Sequence, residues 1–393
     1  MRITRVEVLP YRLPLAHPWH TAVGTPTDRA GFLVRLTDRD GWYGFGEASP
    51  VYWAGGESLA RAAGALDAAA EWLGRGDGVN ILHDTLCAGA RPCAPTQPPA
   101  ALRHSPAALC AVDTALLDLL ARAAGRPVAA LLSPTARNAV ACNGLISDAT
   151  PHDVERATAR QVEAGFRTIK LKVAAQPPEV DCERVAAVRR SAAQGVRIRL
   201  DANRGWDVTL ASHVLATIAG ADIDYVEEPL DTPERAALRA LRERAGVAIA
   251  LDESINDTAD LSRYTAEQAV DVIVLKLARV GGPCRALHLA ASAAARGVRV
   301  VCTDSIETAI GRSATVHAAA AMPGRALPVG LGGALLAADV TSYAPQPVPV
   351  VAVDGPGLGP IALALQPGTS AVPSNARSPF DGLRVSGRSS TNS

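Results

Sequence analysis

The feature that most constrains this chain is a rhythm that sets in near residue 138. Short apolar runs, "AVACNGLIS", "TIKLKV", "VRIRLDAN", "IDYVEEP", "VAIALDES", "VIVLKLA", "VRVVCTDS" and "ALPVGLGG", alternate with Ala-rich amphipathic stretches such as "PHDVERATARQVEAGF" and "TLASHVLATIAG". A strand followed by a helix, repeated about eight times, indicates a parallel sheet that closes into a (β/α) barrel. An open, doubly wound sheet is the alternative. It would be expected to carry a glycine-rich phosphate loop after its first strand, and "CNGLISD" is not one.

The residues before this rhythm read differently. "GFLVRLTDRDGWYGFGEASP" gives a strand, a turn and a second strand, the pattern of a hairpin. "ESLARAAGALDAAAEWLGRG" has helical spacing, and residues 88–106, rich in Pro, read as a loop. A second helix follows in "SPAALCAVDTALLDLLARAAGRP", with Ser105 as N-cap and Gly125–Pro127 as its stop. Residues 340–367 contain strand-like pieces expected to pack back on the N-terminal region. The Ser-, Asn-, Arg- and Pro-rich tail beyond is expected to be disordered. The division is therefore 1–125, an N-terminal α+β unit; 126–335, the barrel; 336–368, a returning segment; and 369–393, the tail.

Charge and cysteine usage narrow the partner. Lys plus Arg and Asp plus Glu are 39 each, so no basic field exists to attract nucleic acid or an anionic membrane. A small molecule is the expected partner, and a homo-oligomer is compatible with the composition. The N-terminal stretch lacks a basic segment followed by an apolar one, so no secretory signal is expected, and no apolar run is long enough to span a bilayer. Seven cysteines, an odd number with no CxxC, suit reduced thiols in a cytoplasm better than a zinc site.

The two-residue period of a strand then sorts the polar residues by face. Asp201 and Asn203 lie on the face opposite Val196, Ile198 and Leu200; Asp252 opposes Val247, Ile249 and Leu251; Lys276 opposes Ile273 and Leu275. Glu227 shares a face with Tyr225, and Glu228 takes the other. Lys172, Asp201, Glu227, Asp252 and Lys276 are spaced by 29, 26, 25 and 24 residues, each about one strand–helix unit. Five successive strands would thus each deliver one ionisable group to the same mouth, where barrel enzymes do their chemistry. Three carboxylates in a cluster repel one another unless a cation joins them, and hard oxygen donors suit a divalent ion such as Mg²⁺. One lysine flanks the cluster on each side. Lys170, next to Lys172 on the same face, would lower an ammonium pKa and leave a usable base. A base beside a carboxylate-binding metal suits removal of the proton α to a carboxylate.

Each element alone has a bland explanation: a solvated KxK, a capping Asp, or a turn at Gly281 and Gly282. Their joint occurrence at unit spacing carries the reading. The periphery stays open. His20 and the Tyr52–Trp53 pair lie in loops able to cover the mouth, as a plug or as substrate contacts. Asp304 and Ser305 either face substrate or cap the next helix. His288 and His317 fall in helical patterns, as core or surface.

In order, KxK, "DAN", "VEEP", "LDES" and "LK…GG" resemble the enolase superfamily, in its muconate-lactonizing subgroup, and "GFGEASP" resembles that family's capping domain. The resemblance reaches to about residue 367. It implies a (β/α)7β TIM-like barrel under an α+β N-terminal capping domain, with Asp201, Glu227 and Asp252 binding Mg²⁺. It also implies Lys172 and Lys276 as the acid/base pair, with Lys170 tuning Lys172. The subgroup holds muconate cycloisomerases, o-succinylbenzoate synthases, dipeptide epimerases and N-acylamino acid racemases. "LPVGLGGALL" lacks the DxD expected of a dipeptide epimerase near the eighth strand. "CNGLIS", "TDSIETAIGRSATVHAAAAMP" and the hairpin region resemble o-succinylbenzoate synthases, which implies a dehydration in menaquinone biosynthesis. Muconate-type cycloisomerisation or N-acylamino acid racemisation is the alternative within the family, and a non-catalytic ligand-binding relative the alternative outside enzymes.

Overall fold

The computed structural model describes residues 1–16, 26–52, 56–75, 98–192, 195–332, 335–340, 348–359 and 388–389. Strands β1 (Ile3–Pro14), β2 (Asp28–Asp38) and β3 (Tyr43–Ala48) form an antiparallel sheet. β2 and β3 are the expected hairpin, its turn tied by the Asp38 carboxylate accepting from the amides of Asp40 and Trp42. The helices Leu59–Gly74 and Pro106–Ala123 lie against this sheet. Ser105 caps the second, accepting from Ala108 N. A Cβ on Gly44 or Gly46 would come within 2.2 Å or 1.9 Å of carbonyl oxygens of that helix. The bare backbone of β3 therefore rests directly on it. The expected loop 88–106 is interrupted by a helical turn, Ala100–Arg103. Pro99 fixes φ ahead of an Ala-Ala-Leu-Arg run of high helix propensity, and Leu102 is buried.

The barrel has eight parallel strands: β4 (Ala139–Ile146), β5 (Thr168–Lys172), β6 (Arg197–Asp201), β7 (Ile223–Glu227), β8 (Ile249–Leu251), β9 (Val272–Lys276), β10 (Arg299–Thr303) and β11 (Val329–Gly330). Each pairs with the next, and β11 pairs back to β4 through Val329 and Cys142, which closes the ring. Helices follow β4 to β10 in turn: Pro151–Glu163, Pro178–Ser191, Val208–Thr217, Arg235–Ala245, Thr258–Ala266, Pro283–Ala294 and Ala309–Ala321. This is the expected (β/α)7β order. Thr150, Asp207, Asp257 and Thr308 start four of these helices by accepting a backbone amide. Ile169, Leu171, Ile198, Leu200, Ile273 and Leu275 are fully buried on the helix-facing side. Alternation leaves the other side of the same strands free for polar groups.

The returning segment divides between barrel and cap. Val350–Ala352 (β12) pairs antiparallel with Ala139–Ala141 of β4, on the barrel rather than the cap. β4 begins before its pairing with β5 starts at Gly144, and β12 satisfies the backbone groups left over. Contacts with N-terminal elements are made on either side, where Leu336 bridges Leu15 and Leu358 N donates to Asp118. Arg388 and Ser389 pair with Val6 and Arg5 at the edge of β1. Cys110, Cys142, Cys182 and Cys302 are free thiols, whereas Cys284 is in a disulfide, so the expectation of reduced thiols throughout is not met. Among the described residues no helix is long and apolar enough to cross a membrane.

Candidate active site

Cross-strand register sets Lys172, Asp201 and Glu227 side by side at the C-terminal ends of β5, β6 and β7. Asp252 follows β8, whose Ala250 is the register partner of Glu227, and Lys276 ends β9. The three acids are buried, at 1%, 0% and 1% exposure. Charges so placed need partners. Lys170 Nζ lies 2.8 Å from Asp201 Oδ2 and 2.9 and 2.7 Å from the two oxygens of Glu227. Lys172 Nζ donates to Asp201 Oδ2 and to Asn203 Oδ1, both at 2.6 Å. Lys276 Nζ donates to Asp252 Oδ2, whose other oxygen takes Arg279 Nη1 at 2.7 Å. Both flanking amines therefore turn towards the acids.

The acids do not already form a closed cage. Among the described residues no three His, Cys, Asp or Glu groups are placed to hold a metal ion together; lysines occupy the acids instead, Lys170 between Asp201 and Glu227 and Lys276 on Asp252. The donor chemistry nevertheless fits an oxophilic divalent ion. Hard oxygens come from three adjacent strand tips, and the Lys170 ammonium shows that a positive charge is accommodated between two of them.

The electrostatics follow from burial and these pairs. Burial, then the charge of Asp201, pushes Glu227 up to about 8. Burial opposes ionisation of Asp201 too, but Lys170 and Lys172 outweigh it and hold that carboxyl well below the usual range. Asp252 is likewise lowered against burial by Arg279 and Lys276. Of the three, Glu227 is the acid whose ionisation the site supports least. Lys170 is held as an ammonium by the acids around it. Burial works against its charge, but Asp201 and Glu227 outweigh burial and raise its pKa. Lys276 is raised in the same way, chiefly by Asp252.

The remaining expected residues divide. Asn203 joins the cluster, its backbone N–H donating to Asp201 Oδ1 at 3.1 Å. Glu228 clamps the turn that carries Asp252. It accepts from the amides of Asp252 and Ser254, at 3.0 and 2.7 Å, and from Arg204 at 3.1 Å. Gly281 and Gly282 form the turn beyond Lys276 with φ of +94° and +112°. Asp304 is buried at the tip of β10 and accepts from the amides of Gly332 and Glu307. Ser305 Oγ is buried beside it without a hydrogen-bond partner among the described residues. The Tyr52 hydroxyl donates to Asp28 of the cap sheet at 3.1 Å. His20 and Trp53 lie outside the described residues. His317 is core, its ring accepting from Ala129 N and its pKa lowered by burial to about 4, while His288 is exposed. The sequence reading missed Arg279, which shares Asp252 with Lys276, and Glu253, whose Oε1 takes Asn203 Nδ2 at 3.4 Å. Strand periodicity gave no signal for Arg279, because it lies on the helical turn Leu277–Val280 beyond the strand that Lys276 ends.

A barrel whose strand tips carry this set of acids and amines, beneath an α+β cap, defines an enzyme fold of one kind. Residues 3–133 match the mandelate racemase/muconate lactonizing enzyme N-terminal domain and residues 153–360 the enolase C-terminal domain-like family. The chain belongs to the enolase superfamily. It is 28% identical to the L-Ala-D/L-Glu epimerase of Bacillus subtilis over 326 residues, 81% of this chain and 85% of that one. It is 24% identical to an N-succinyl-L-Arg/Lys racemase of Bacillus cereus over 323 residues, 81% and 84% of the two chains. Among solved structures, the dipeptide epimerase of Enterococcus faecalis complexed with Mg and L-Leu-L-Tyr superposes with a TM-score of 0.80 at 25% identity, covering 91% of this chain and 99% of that one. The relatives are epimerases, racemases and cycloisomerases.

Proposed function

We propose that this protein is a divalent-metal-dependent racemase that moves the α proton of an N-acylamino acid. The observation that carries the reading is the pair of amines, Lys172 and Lys276, at the two ends of an arc of three buried acids. Asp201, Glu227 and Asp252 would hold Mg²⁺, which when bound supplies positive charge to the substrate carboxylate and makes its α C–H more acidic. Lys172 on β5 and Lys276 on β9 address the α carbon from opposite sides, so one removes a proton and the other returns one. Lys170, bridging Asp201 and Glu227, and Asn203, bonded to Lys172, hold these groups in register.

The N-acyl preference rests on the eighth strand. Val329, Gly330 and Leu331 carry no acid, and Asp304 alongside is turned to the Gly332 and Glu307 amides. An α-ammonium against this strand would find no acid on it and would bury its charge at a cost, whereas an acylated nitrogen is neutral and needs no counter-ion. The o-succinylbenzoate synthase reading rests on the stretches "CNGLIS" and "TDSIET" and shares the enolate chemistry, but the relatives compared above lend it no support.

The test is α-proton exchange in D₂O with Mg²⁺, followed by NMR and polarimetry. N-acetyl and N-succinyl derivatives of L-alanine, L-leucine and L-arginine are compared with free dipeptides and with the cyclohexadiene precursor of o-succinylbenzoate. The N-acyl substrates are expected to exchange and racemise. Lys172→Ala and Lys276→Ala are each expected to lower racemisation by about a thousandfold. Turnover of the cyclohexadiene alone would replace racemisation by dehydration. Exchange in none of them would refute the enzymatic reading.

A further inference from the structure

Lys276 ends β9 and also begins a single helical turn, Leu277–Val280. The amides of Gly281 and Gly282 both return to Leu277 O, at 3.0 and 2.9 Å, and close that turn. The helix Pro283–Ala294 then starts from Gly282, which has no side chain to satisfy the first amides. The missing acceptor comes from the cap. Asp113, on the helix Pro106–Ala123, presents Oδ2 to Cys284 N at 3.0 Å. A Cβ on Gly282 would lie 2.5 Å from that oxygen, and one on Gly281 would lie 3.1 Å from Leu109, one turn earlier on the same cap helix. Both glycines have φ values that disfavour other residues. The cap helix is thus seated on the naked backbone of the turn that follows the catalytic lysine.

Asp113 is only 3% exposed. Burial pushes its carboxyl up to about 7, against the Cys284 amide and the charge of Arg285. An acid held in so unfavourable a place, where a neutral acceptor would cap the helix, indicates a role for its position.

We propose that Asp113 is a positioning residue, through which the cap grips the Gly281–Gly282 turn and fixes Lys276 and Arg279 against Asp252. The proposal rests on the reading of Lys276 as a proton-transfer group. It makes the cap part of the catalytic geometry and not only a cover for the mouth.

Three variants test it in the full-length protein with Mg²⁺: Asp113→Ala, Gly282→Ala and Asp113→Asn. The first two break the same contact from opposite sides, and the third keeps a carbonyl acceptor. Amide hydrogen exchange over residues 277–285 is measured by mass spectrometry, together with kcat and KM for α-proton exchange of the N-acylamino acids named above. Asp113→Ala and Gly282→Ala are expected to speed amide exchange over 277–285. They should lower kcat up to about a hundredfold, as a misplaced catalytic group does, with KM within about twofold of the parent. Asp113→Asn is expected to restore both. Unchanged amide exchange in the two disruptive variants overturns the grip. Faster amide exchange with an unchanged kcat overturns the positioning role. A parent protein that moves no α proton refutes the proposed function instead, and the amide-exchange measurement still decides the grip.

Discussion

Glu307→Gln, at the seam between cap and barrel, offers the sharpest check on the electrostatics of this fold. Glu307 stands just before the helix Ala309–Ala321 and accepts from the Ser49 hydroxyl at 3.0 Å. Its neighbours are Glu47 of β3, Asp304 at the tip of β10 and Arg29 of β2. Glu47 has the better donors, from Tyr11 Oη, Thr308 N and Gly311 N. A Cβ on Gly311 would lie 2.5 Å from a Glu307 oxygen and 2.9 Å from one of Glu47, so the two carboxyls crowd one spot. Burial first, and then Glu47 and Asp304, push Glu307 from 4.5 to about 8. An acid with a raised folded pKa binds its proton more tightly folded than unfolded. Its contribution is complete below about pH 4.5 and is lost as pH rises through about 8. At about 1.4 kcal/mol per unit, the loss has a ceiling of roughly 5 kcal/mol. Gln keeps an acceptor for Ser49 and does not ionise. Urea unfolding followed by circular dichroism at about pH 5 and about pH 8.5 should therefore show Glu307→Gln near parity with the parent in acid and more stable by several kcal/mol in base. A difference between the two proteins that is the same at both pH values would refute the reasoning. Buried acids remote from this seam titrate alike in both proteins and cancel, whereas Asp304, which repels Glu307, is relieved by the substitution in the same direction.

Two further outcomes follow. Treatment with EDTA should abolish α-proton exchange, Mg²⁺ should restore it, and saturating Mg²⁺ should raise the melting temperature, with about 2.7 kcal/mol of stabilisation at a hundredfold excess over Kd; Asp201→Asn and Asp252→Asn should remove most of that shift in calorimetry. Gly46→Ala should destabilise the protein by about 1–3 kcal/mol or more in urea, because the new Cβ would meet Ala111 O at 1.9 Å, whereas Gly64→Ala, with nothing within 4 Å on its exposed helix face, should stabilise by up to about 1 kcal/mol.

Much of this protein is written locally in its residues. Two-residue alternation placed Ile198 and Leu200 towards the helices and Asp201 on the other face, and the same period separated Lys276 from Ile273 and Leu275. The unit spacing of Lys172, Asp201, Glu227, Asp252 and Lys276 followed from strand–helix length, which is why their common mouth was legible before any coordinate. Tertiary structure decided what depends on groups distant in sequence. It set the raised pKa of Lys170, since that sign depends on Asp201 and Glu227 approaching from two other strands. It added Val350–Ala352 to β4 because only the closed barrel leaves Ala139–Ala141 without a full set of backbone partners. It also brought Asp113 to Cys284 N across 171 residues. Periodicity encodes which face a side chain takes, because the backbone repeats locally; which charges meet is fixed only when the chain closes on itself.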